Sequence, residues 1–217
     1  MKNGENEIDT IIFDVDGTLS EEVSWLKLTD GLGASSETHA QIFAKFKNGE
    51  LKYPEAKQKL ISLWQETGNA NKGYMEDMFR SWNLKGDAVE TMEYLKASYR
   101  ICLMSGAVDL YVKVVAEKLG IDHWYANTEL VWDEVGNLID FHYFADQSEK
   151  KLEHFYEYIA KFGLLTCQCA VVGDGDSDIA LFRELPFGVA VNKQPNSELE
   201  ALATRTISDL SELQGIF

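Results

Sequence analysis

Apolar residues along the chain follow two different periods. Unbroken apolar runs that close on turn-forming residues lie at 9–14, 99–106 and 169–176, and this pattern is typical of buried strands. Apolar residues with helical spacing lie at 110–119 and 152–162, and a glycine follows each stretch. The alternation of strand and helix predicts an α/β fold, a Rossmann-like parallel sheet flanked by helices.

A long segment without a predicted strand separates the first two apolar runs. Helical periodicity fills it in five units, at 21–31, 37–47, 54–66, 73–82 and 87–97. About eighty residues are far more than a simple crossover needs. We therefore predict that residues 20–84 form a small all-helical cap domain, carried over the end of the sheet. Residues 1–19 and 85–217 then form the core domain.

A hairpin is predicted after the second crossover. Residues 122–141 resemble a strand that turns back on itself, with Val135, Gly136 and Asn137 at the turn.

Composition excludes several classes of partner. The 36 acidic and 20 basic residues give a net charge of -16, which would repel phosphate backbones and anionic lipid surfaces. We predict no nucleic-acid partner and no membrane partner. The amino end MKNGENEID lacks an apolar signal, and no later stretch approaches a membrane span, so a cytoplasmic location is predicted. The oligomeric state stays open.

The three cysteines are predicted to be small buried apolar residues. Cys102, Cys167 and Cys169 lie in or beside strand-like runs and do not have the Cys-x-x-Cys spacing of metal or redox sites. This composition fits a reducing compartment.

Polar residues close each of the three predicted strands. The first run ends on Asp14 and Asp16, the second on Ser105 and Gly106, and the third on a segment that begins with Asp174. Ligands of open parallel sheets bind outside the carboxyl ends of the strands. We therefore predict that these residues share one edge of the sheet.

The carboxylates at this edge predict a magnesium site. Side chains two positions apart on an extended backbone point the same way, so Asp14 and Asp16 converge if the strand geometry persists. Close carboxylates ionise together only when a cation offsets their charges. With Asp174 they form an oxygen-rich cluster that suits Mg²⁺, which retains waters and contacts phosphate oxygens.

Four segments in this order resemble the motifs of the haloacid dehalogenase-like superfamily of phosphohydrolases, and within it the phosphoserine phosphatases. The segments are IIFDVDGTL, ICLMSGAVDLYVKVVAEKLGIDHWYAN, KLEHFYEYIAKFGL and AVVGDGDSDIALF. The resemblance implies a Mg²⁺-dependent phosphomonoesterase that acts on a small phosphorylated metabolite. It also implies that the helical cap closes over the leaving group.

The resemblance assigns roles to the aspartates. Asp14 is expected to be the nucleophile that forms an aspartyl-phosphate, and Asp16 the general acid and base. Mg²⁺ is expected to contact the Asp14 side chain, the Asp16 backbone carbonyl and the Asp174 side chain. Asp178 is expected to support the metal site from behind these ligands.

The same resemblance assigns the phosphate-binding groups. Ser105, the Gly106 amide and a lysine are expected to bind the phosphoryl oxygens and to stabilise the growing negative charge. Lys150 and Lys151 both qualify by type. Lys151 is favoured because the family's spacing from this lysine to the last aspartate then reaches Asp174 without a gap.

The cap departs from the family pattern at its substrate-binding positions. In NGELKYPEAKQKLISLW, Tyr53 stands where the family has an apolar residue that shields the substrate, and Leu60 stands where the family has a carboxylate-binding arginine. Val23, with Glu22 beside it, stands at the position of the glutamate that meets the amino group. Ser177 replaces an asparagine in the last motif. The resemblance therefore predicts phosphate chemistry and leaves the substrate open.

Other readings of the same residues remain. A nearby Lys57 or Lys59 would be a poor substitute for arginine, because lysine lacks the planar fork that binds a carboxylate through two hydrogen bonds. Phosphotransfer to a small alcohol acceptor would use the same aspartyl-phosphate. A non-catalytic regulator that binds phosphate and Mg²⁺ is a third possibility. A dehalogenase is disfavoured, because that branch does not need Asp16.

Overall fold

The computed structural model describes residues 8–191 and 197–217. At its centre is a seven-stranded sheet. Its strands are β1 (Thr10–Phe13), β2 (Arg100–Val108), β3 (His123–Trp132), β4 (Leu138–Tyr143), β5 (Cys169–Gly173), β6 (Phe187–Val191) and β7 (Arg205–Ile207). The strand order is β4-β3-β2-β1-β5-β6-β7, and the pairs are parallel apart from the antiparallel hairpin of β3 and β4. The α/β fold predicted from the sequence is confirmed.

The helices of the described residues include the seven predicted from the sequence and two more. They are α1 (Ser24–Gly31), α2 (Ser36–Lys47), α3 (Tyr53–Gln65), α4 (Lys72–Ser81), α5 (Ala88–Lys96), α6 (Asp109–Leu119), α7 (Gln147–Phe162), α8 (Ile179–Glu184) and α9 (Ser197–Leu202). Short 3₁₀ turns lie at Thr166–Gln168, Asp176–Asp178 and Leu210–Gly215. The largest shift is at α7, which begins at Gln147, five residues before the predicted stretch, with Asp146 as its N-cap. The first helix begins at Ser24, three residues after its predicted start, and the preceding residue Val23 is extended. Helices α8 and α9 were not predicted.

The central strand β1 is buried on both faces. Successive side chains of a strand point to opposite faces, so Ile11 and Phe13 pack in one apolar cluster and Ile12 packs in the other. Helices α5 and α6 cover the first face, and α7, α8 and α9 cover the second. Cys102 and Cys169 are buried on the second face, as predicted. The prediction was wrong for Cys167, which is half-buried because it lies in the turn before β5 rather than in the strand. This double burial holds the end of β1, where the candidate site begins, in a fixed position.

The helices α1 to α4 lie within the predicted insert, and their apolar side chains join the core cluster of the sheet. Leu28, Trp64 and Phe79 belong to the same cluster as Leu110 and Tyr111 of α6. The ring centroids of Phe79 and Tyr111 are 5.3 Å apart. The division into a core and a cap therefore stays a prediction. Each helix that the structure describes is too short or too polar to cross a membrane.

A buried histidine joins helices α1, α2 and α3. The indole of Trp64 donates to Thr29 Oγ1 at 2.8 Å, and Thr29 Oγ1 lies 2.7 Å from His39 Nδ1. Burial lowers the pKa of His39 from 6.5 to about 4, although Asp30 opposes this shift. The folded state therefore holds the imidazole neutral where the unfolded chain protonates it.

Because of His39, the free energy of unfolding is expected to decrease as the pH decreases. This stability contribution is complete above pH 6.5 and is lost as the pH falls toward 4. One such group lowers the free energy of unfolding by about 2 kcal/mol between pH 7 and pH 5. Urea unfolding at both pH values measures the change. The variant His39→Gln should lose this component, and an equal pH dependence of both proteins would contradict the assignment.

Candidate active site

The carboxyl ends of three strands meet at one edge of the sheet. Phe13, the last residue of β1, is in register with Leu103 of β2 and with Val172 of β5. The amide of Asp14 continues this pairing and donates to the Val172 carbonyl at 3.0 Å. Asp14 and Asp174 therefore follow neighbouring strands at one edge of the sheet, as predicted. Ser105 and Gly106 lie within β2, because this strand continues to Val108 rather than ending at Gly106.

Three carboxylates and one lysine form the centre of the site. One oxygen each of Asp14, Asp174 and Asp178 lies within 4.8 Å of the others. The Lys151 ammonium donates to Asp14 Oδ1 and to Asp178 Oδ1, both at 2.7 Å. The Lys151 side chain is fully buried. One fixed positive charge therefore faces three carboxylates.

The pKa values at this centre show how poorly one lysine offsets the negative charge. The pKa of Asp14 is raised, because burial and the nearby Asp174 carboxylate together outweigh the lowering effect of Lys151. Burial likewise raises the pKa of Asp174 and that of Asp178, the latter to about 6. Burial lowers the pKa of Lys151, but Asp14 and Asp178 outweigh it, and the net shift is upward. A divalent cation would supply the missing positive charge.

The hydrogen bonds divide the carboxylates into two groups. Asp178 Oδ1 accepts from Lys151, and Asp178 Oδ2 accepts from the amides of Asp174 and Gly175 at 3.1 and 3.2 Å. Both oxygens of Asp178 are thus engaged with the protein. Asp14 and Asp174 are the side chains that could hold Mg²⁺ directly, and Asp178 fits the supporting position.

Gly17 is required for Asp174 to approach the end of β1. It has a φ of +77°, and a Cβ at this position would lie 2.1 Å from Asp174 Oδ2. Its neighbour Thr18 donates to Asp174 Oδ1 at 3.0 Å. The buried Lys85 donates to the Gly17 carbonyl at 2.6 Å. Sequence reasoning assigned no role to Thr18 or Lys85, because only the folded chain brings them to the cluster.

The carboxylate of Asp16 is held by the first residue of α1. The Ser24 amide and hydroxyl donate to Asp16 Oδ2 at 2.9 and 2.7 Å. Asp16 Oδ1 is buried and has no hydrogen-bond partner among the residues that the structure describes. Burial raises the pKa of Asp16 to about 7, against the lowering effect of Ser24. An acid is thus fixed by one oxygen, and its other oxygen remains available for a proton.

Ser105 and Gly106 lie where the pairing of β2 and β3 is irregular. The register shifts between Ser105 and Val108, as in a bulge that re-aims the backbone. Ser105 is fully buried, and its hydroxyl accepts from the Ala107 amide at 3.2 Å. Gly106 lines the cavity above the carboxylates, whereas Ser105 and Lys151 are fully buried and do not line it. The structure therefore places Lys151 against the acidic cluster and half-buried Gly106 in the cavity wall.

A cavity of about 510 Å³ opens directly above the carboxylates. Asp14, Asp16 and Asp174 form its floor, and side chains from α1, α2, α3 and β4 form its walls. Most of the wall is apolar or aromatic, and its members include Trp25, Phe43, Phe46, Tyr53, Leu60, Phe141 and Tyr143. The volume lies in the range of sites that bind small organic molecules.

Four of the five substrate-binding residues predicted from the sequence line this cavity. They are Val23, Tyr53, Leu60 and Ser177. Glu22 does not line it, because its carboxylate pairs with Lys27 at the surface. The extended backbone at Val23 turns these neighbouring side chains in different directions.

Sequence reasoning missed several residues of the site. Ser24 and Gln147 were not singled out, nor were Trp25, Phe141 and Tyr143. Phe141 and Tyr143 stand on alternate positions of β4, and this spacing was the one available signal that they share a face. This face contacts α3 only because of how the β3–β4 hairpin is oriented, and no local sequence pattern predicts that orientation.

Comparisons with known proteins agree with this geometry. A family model for haloacid dehalogenase-like hydrolases matches residues 8–185. The phosphoserine phosphatase of Methanocaldococcus jannaschii is 27% identical over 187 residues, which are 85% of this chain and 86% of that protein. The one from Campylobacter jejuni subsp. doylei is 27% identical over 215 residues, with 95% and 98% covered. A substrate-bound phosphoserine phosphatase complex has a TM-score of 0.73 at 25% identity, with 98% of this chain and 100% of that chain covered.

Proposed function

The chain belongs to the haloacid dehalogenase-like hydrolases, in the branch that resembles phosphoserine phosphatases, and we propose that it hydrolyses a small phosphate monoester through an aspartyl-phosphate on Asp14. The chain is a phosphoric monoester hydrolase. The observation that best supports the proposed mechanism is the pairing of Asp14 with buried Lys151 beneath the cavity.

In the first half of the reaction, a carboxylate oxygen of Asp14 attacks phosphorus as the ester P–O bond breaks. Asp16 donates its proton to the departing oxygen, so that the alcohol leaves neutral. Oδ1 of Asp16 suits this step, because it has no hydrogen-bond partner among the described residues and can carry the proton. Oδ2 already accepts two hydrogen bonds from Ser24. Lys151 orients Asp14 and offsets its charge.

In the second half, water attacks the phosphorus of the aspartyl-phosphate. Asp16, now ionised, accepts a proton from that water, and the Asp14–phosphorus bond breaks to release phosphate. A pKa of about 7 allows Asp16 to serve in both directions near neutral pH. Ser105 and the Gly106 amide are proposed to bind phosphoryl oxygens during both halves.

Mg²⁺ is the proposed cofactor, and Asp14 and Asp174 are its proposed side-chain ligands. The backbone carbonyl of Asp16 is a further proposed ligand, with Asp178 in support. When bound, Mg²⁺ neutralises negative charge on the transferring phosphoryl group. The excess of carboxylates over the nearby Lys151 and Lys85 ammonium groups supports this assignment, because Asp14, Asp16, Asp174 and Asp178 all lie at this edge.

Removal of divalent cations is expected to stop turnover. Phosphate release from a panel of phosphate monoesters should fall by about 10²-fold or more in EDTA, because the charge-neutralising group is lost. Added Mg²⁺ should restore it. Full activity in EDTA would contradict the metal assignment, and a folded protein that releases phosphate from no ester would contradict the function itself.

A further inference from the structure

We propose that the substrate is the phosphate monoester of an uncharged alcohol with an apolar body, aliphatic or aromatic, and that phosphoserine is a poor substrate. This inference rests on the proposed function, because it identifies the leaving group that the same cavity accepts. It is carried by the residues above the carboxylates rather than by the carboxylates themselves.

The wall that would face the leaving group is aromatic on several sides. Trp25 packs edge to face against Tyr143 and Phe141, with ring centroids 6.1 and 5.7 Å away. Tyr53 stacks on Tyr143 at 6.4 Å. Leu60, which is 7% exposed, closes the wall from α3. Such a surface gains free energy by removing carbon atoms from water and supplies few hydrogen bonds.

The apolar surface extends from the catalytic floor to the entrance. Val23, Leu26 and Phe43 line the same cavity and are exposed to solvent. An apolar leaving group that contacts Trp25 near Asp16 would therefore meet apolar side chains along its length. Exposed apolar residues that continue an internal cavity are typical of a ligand-binding groove.

The cations of the cavity are already engaged. Among the described residues that line it, Lys57 is the one lysine or arginine, and its ammonium lies 2.8 Å and 3.1 Å from the two carboxylate oxygens of Asp140. Lys57 also donates to the Phe141 carbonyl at 3.4 Å. His39 is held neutral, with Nδ1 next to Thr29. A substrate carboxylate would have to take Lys57 from Asp140 or stay unpaired.

An ammonium group on the substrate would also lack a free acidic partner in the cavity. The acidic residues that line the cavity within the described ranges are Asp14, Asp16 and Asp174, which the reaction itself requires. Glu22 is outside the cavity and bound to Lys27. A zwitterionic leaving group would thus lose its hydration without new partners, and buried unpaired charges are costly.

A series of n-alkyl phosphates from ethyl to hexyl tests the inference. The alcohols have nearly the same leaving-group acidity, so differences in kcat/KM report on the cavity. We expect kcat/KM to rise about threefold per added methylene until the cavity is filled. O-phosphoserine, which has the carbon number of propyl phosphate and two added charges, should be at least about tenfold slower than propyl phosphate.

Two variants and one control sharpen the test. Leu60→Ala should reduce the gain per methylene, and Leu60→Arg should reduce it further while it improves phosphoserine relative to propyl phosphate. Val135→Ala serves as the control, because Val135 is 82% exposed at the hairpin turn and lies outside the cavity. Its series should match that of the unaltered protein.

The possible failures are distinguishable. Turnover with a flat or falling alkyl series, or with phosphoserine faster than propyl phosphate, would overturn this inference and leave the proposed function intact. Turnover of no ester at all would overturn the proposed function. Calorimetric binding of the alkyl phosphates to the protein in Mg²⁺ would then decide the inference. We expect the affinity to rise with chain length, and an affinity that did not rise would overturn the inference.

Discussion

Asp14→Asn is expected to lower kcat by at least about 10⁴-fold, because an amide is far too weak a nucleophile to replace a carboxylate. Folding should change little. The asparagine has nearly the shape of aspartate, its carbonyl can still accept from Lys151, and Lys151 keeps its contact with Asp178 at 2.7 Å. The variant also removes a buried carboxylate whose pKa is raised by burial and by Asp174.

Single-turnover phosphate release and urea unfolding together measure this prediction. Asp122→Asn is the matched control, since Asp122 is an exposed aspartate before β3. Its kinetics and stability should equal those of the unaltered protein. Retention of most of the activity in Asp14→Asn would exclude Asp14 as the nucleophile. Loss of folding in Asp14→Asn would instead show that the Lys151 contact with Asp14 is mainly structural.

Lys151→Met is expected to damage both stability and catalysis. Removal of one partner from a buried ion pair leaves uncompensated charge and typically costs about 3–5 kcal/mol. Here Asp14 and Asp178 both lose their 2.7 Å contact with Lys151. The loss of a fixed positive charge beside the reacting phosphoryl group should also lower kcat by about 10²- to 10³-fold. Urea unfolding and initial rates of phosphate release measure the two effects.

A second substitution separates the structural effect from the catalytic one. Lys151→Met combined with Asp178→Asn removes one of the stranded carboxylates, so part of the stability should return while the rate stays low. Lys150→Ala is the control. The Lys150 ammonium pairs with Glu153 at 2.7 Å and lies 4.5 Å over the Phe144 ring, away from the cluster. If Lys150→Ala lowered kcat as much as Lys151→Met, the choice between the two lysines would be wrong.

The sheet and its catalytic edge were predictable because their signals are local. An unbroken apolar run that ends on Asp14 reports both the burial of β1 and the place where the backbone leaves the sheet. Parallel strands bring their ends together by topology alone, so Asp174 could be placed beside Asp14 without any knowledge of loops. Helical spacing likewise predicted α2 to α5 to within one residue at each end.

The walls of the cavity were less predictable because they depend on distant parts of the chain. Phe141 and Tyr143 reach Trp25 only after β4 has turned back along β3. The start of α1 has a similarly remote cause. Periodicity predicted a helix from residue 21, but α1 begins at Ser24. The Asp16 carboxylate accepts from the Ser24 amide and so caps the N-terminus of α1.

The bond between Ser24 and Asp16 limits how freely this protein can exchange parts with its relatives. Its two donors lie near the beginning of the predicted insert, and their acceptor lies on the loop after β1. A chimaera that received a foreign segment here would gain new cavity walls, but without a hydroxyl at position 24 Asp16 would keep only the backbone amide as a donor. The cavity walls on α2 and α3 can therefore be exchanged without touching Asp16, whereas the first turn of α1 has to match the loop after β1.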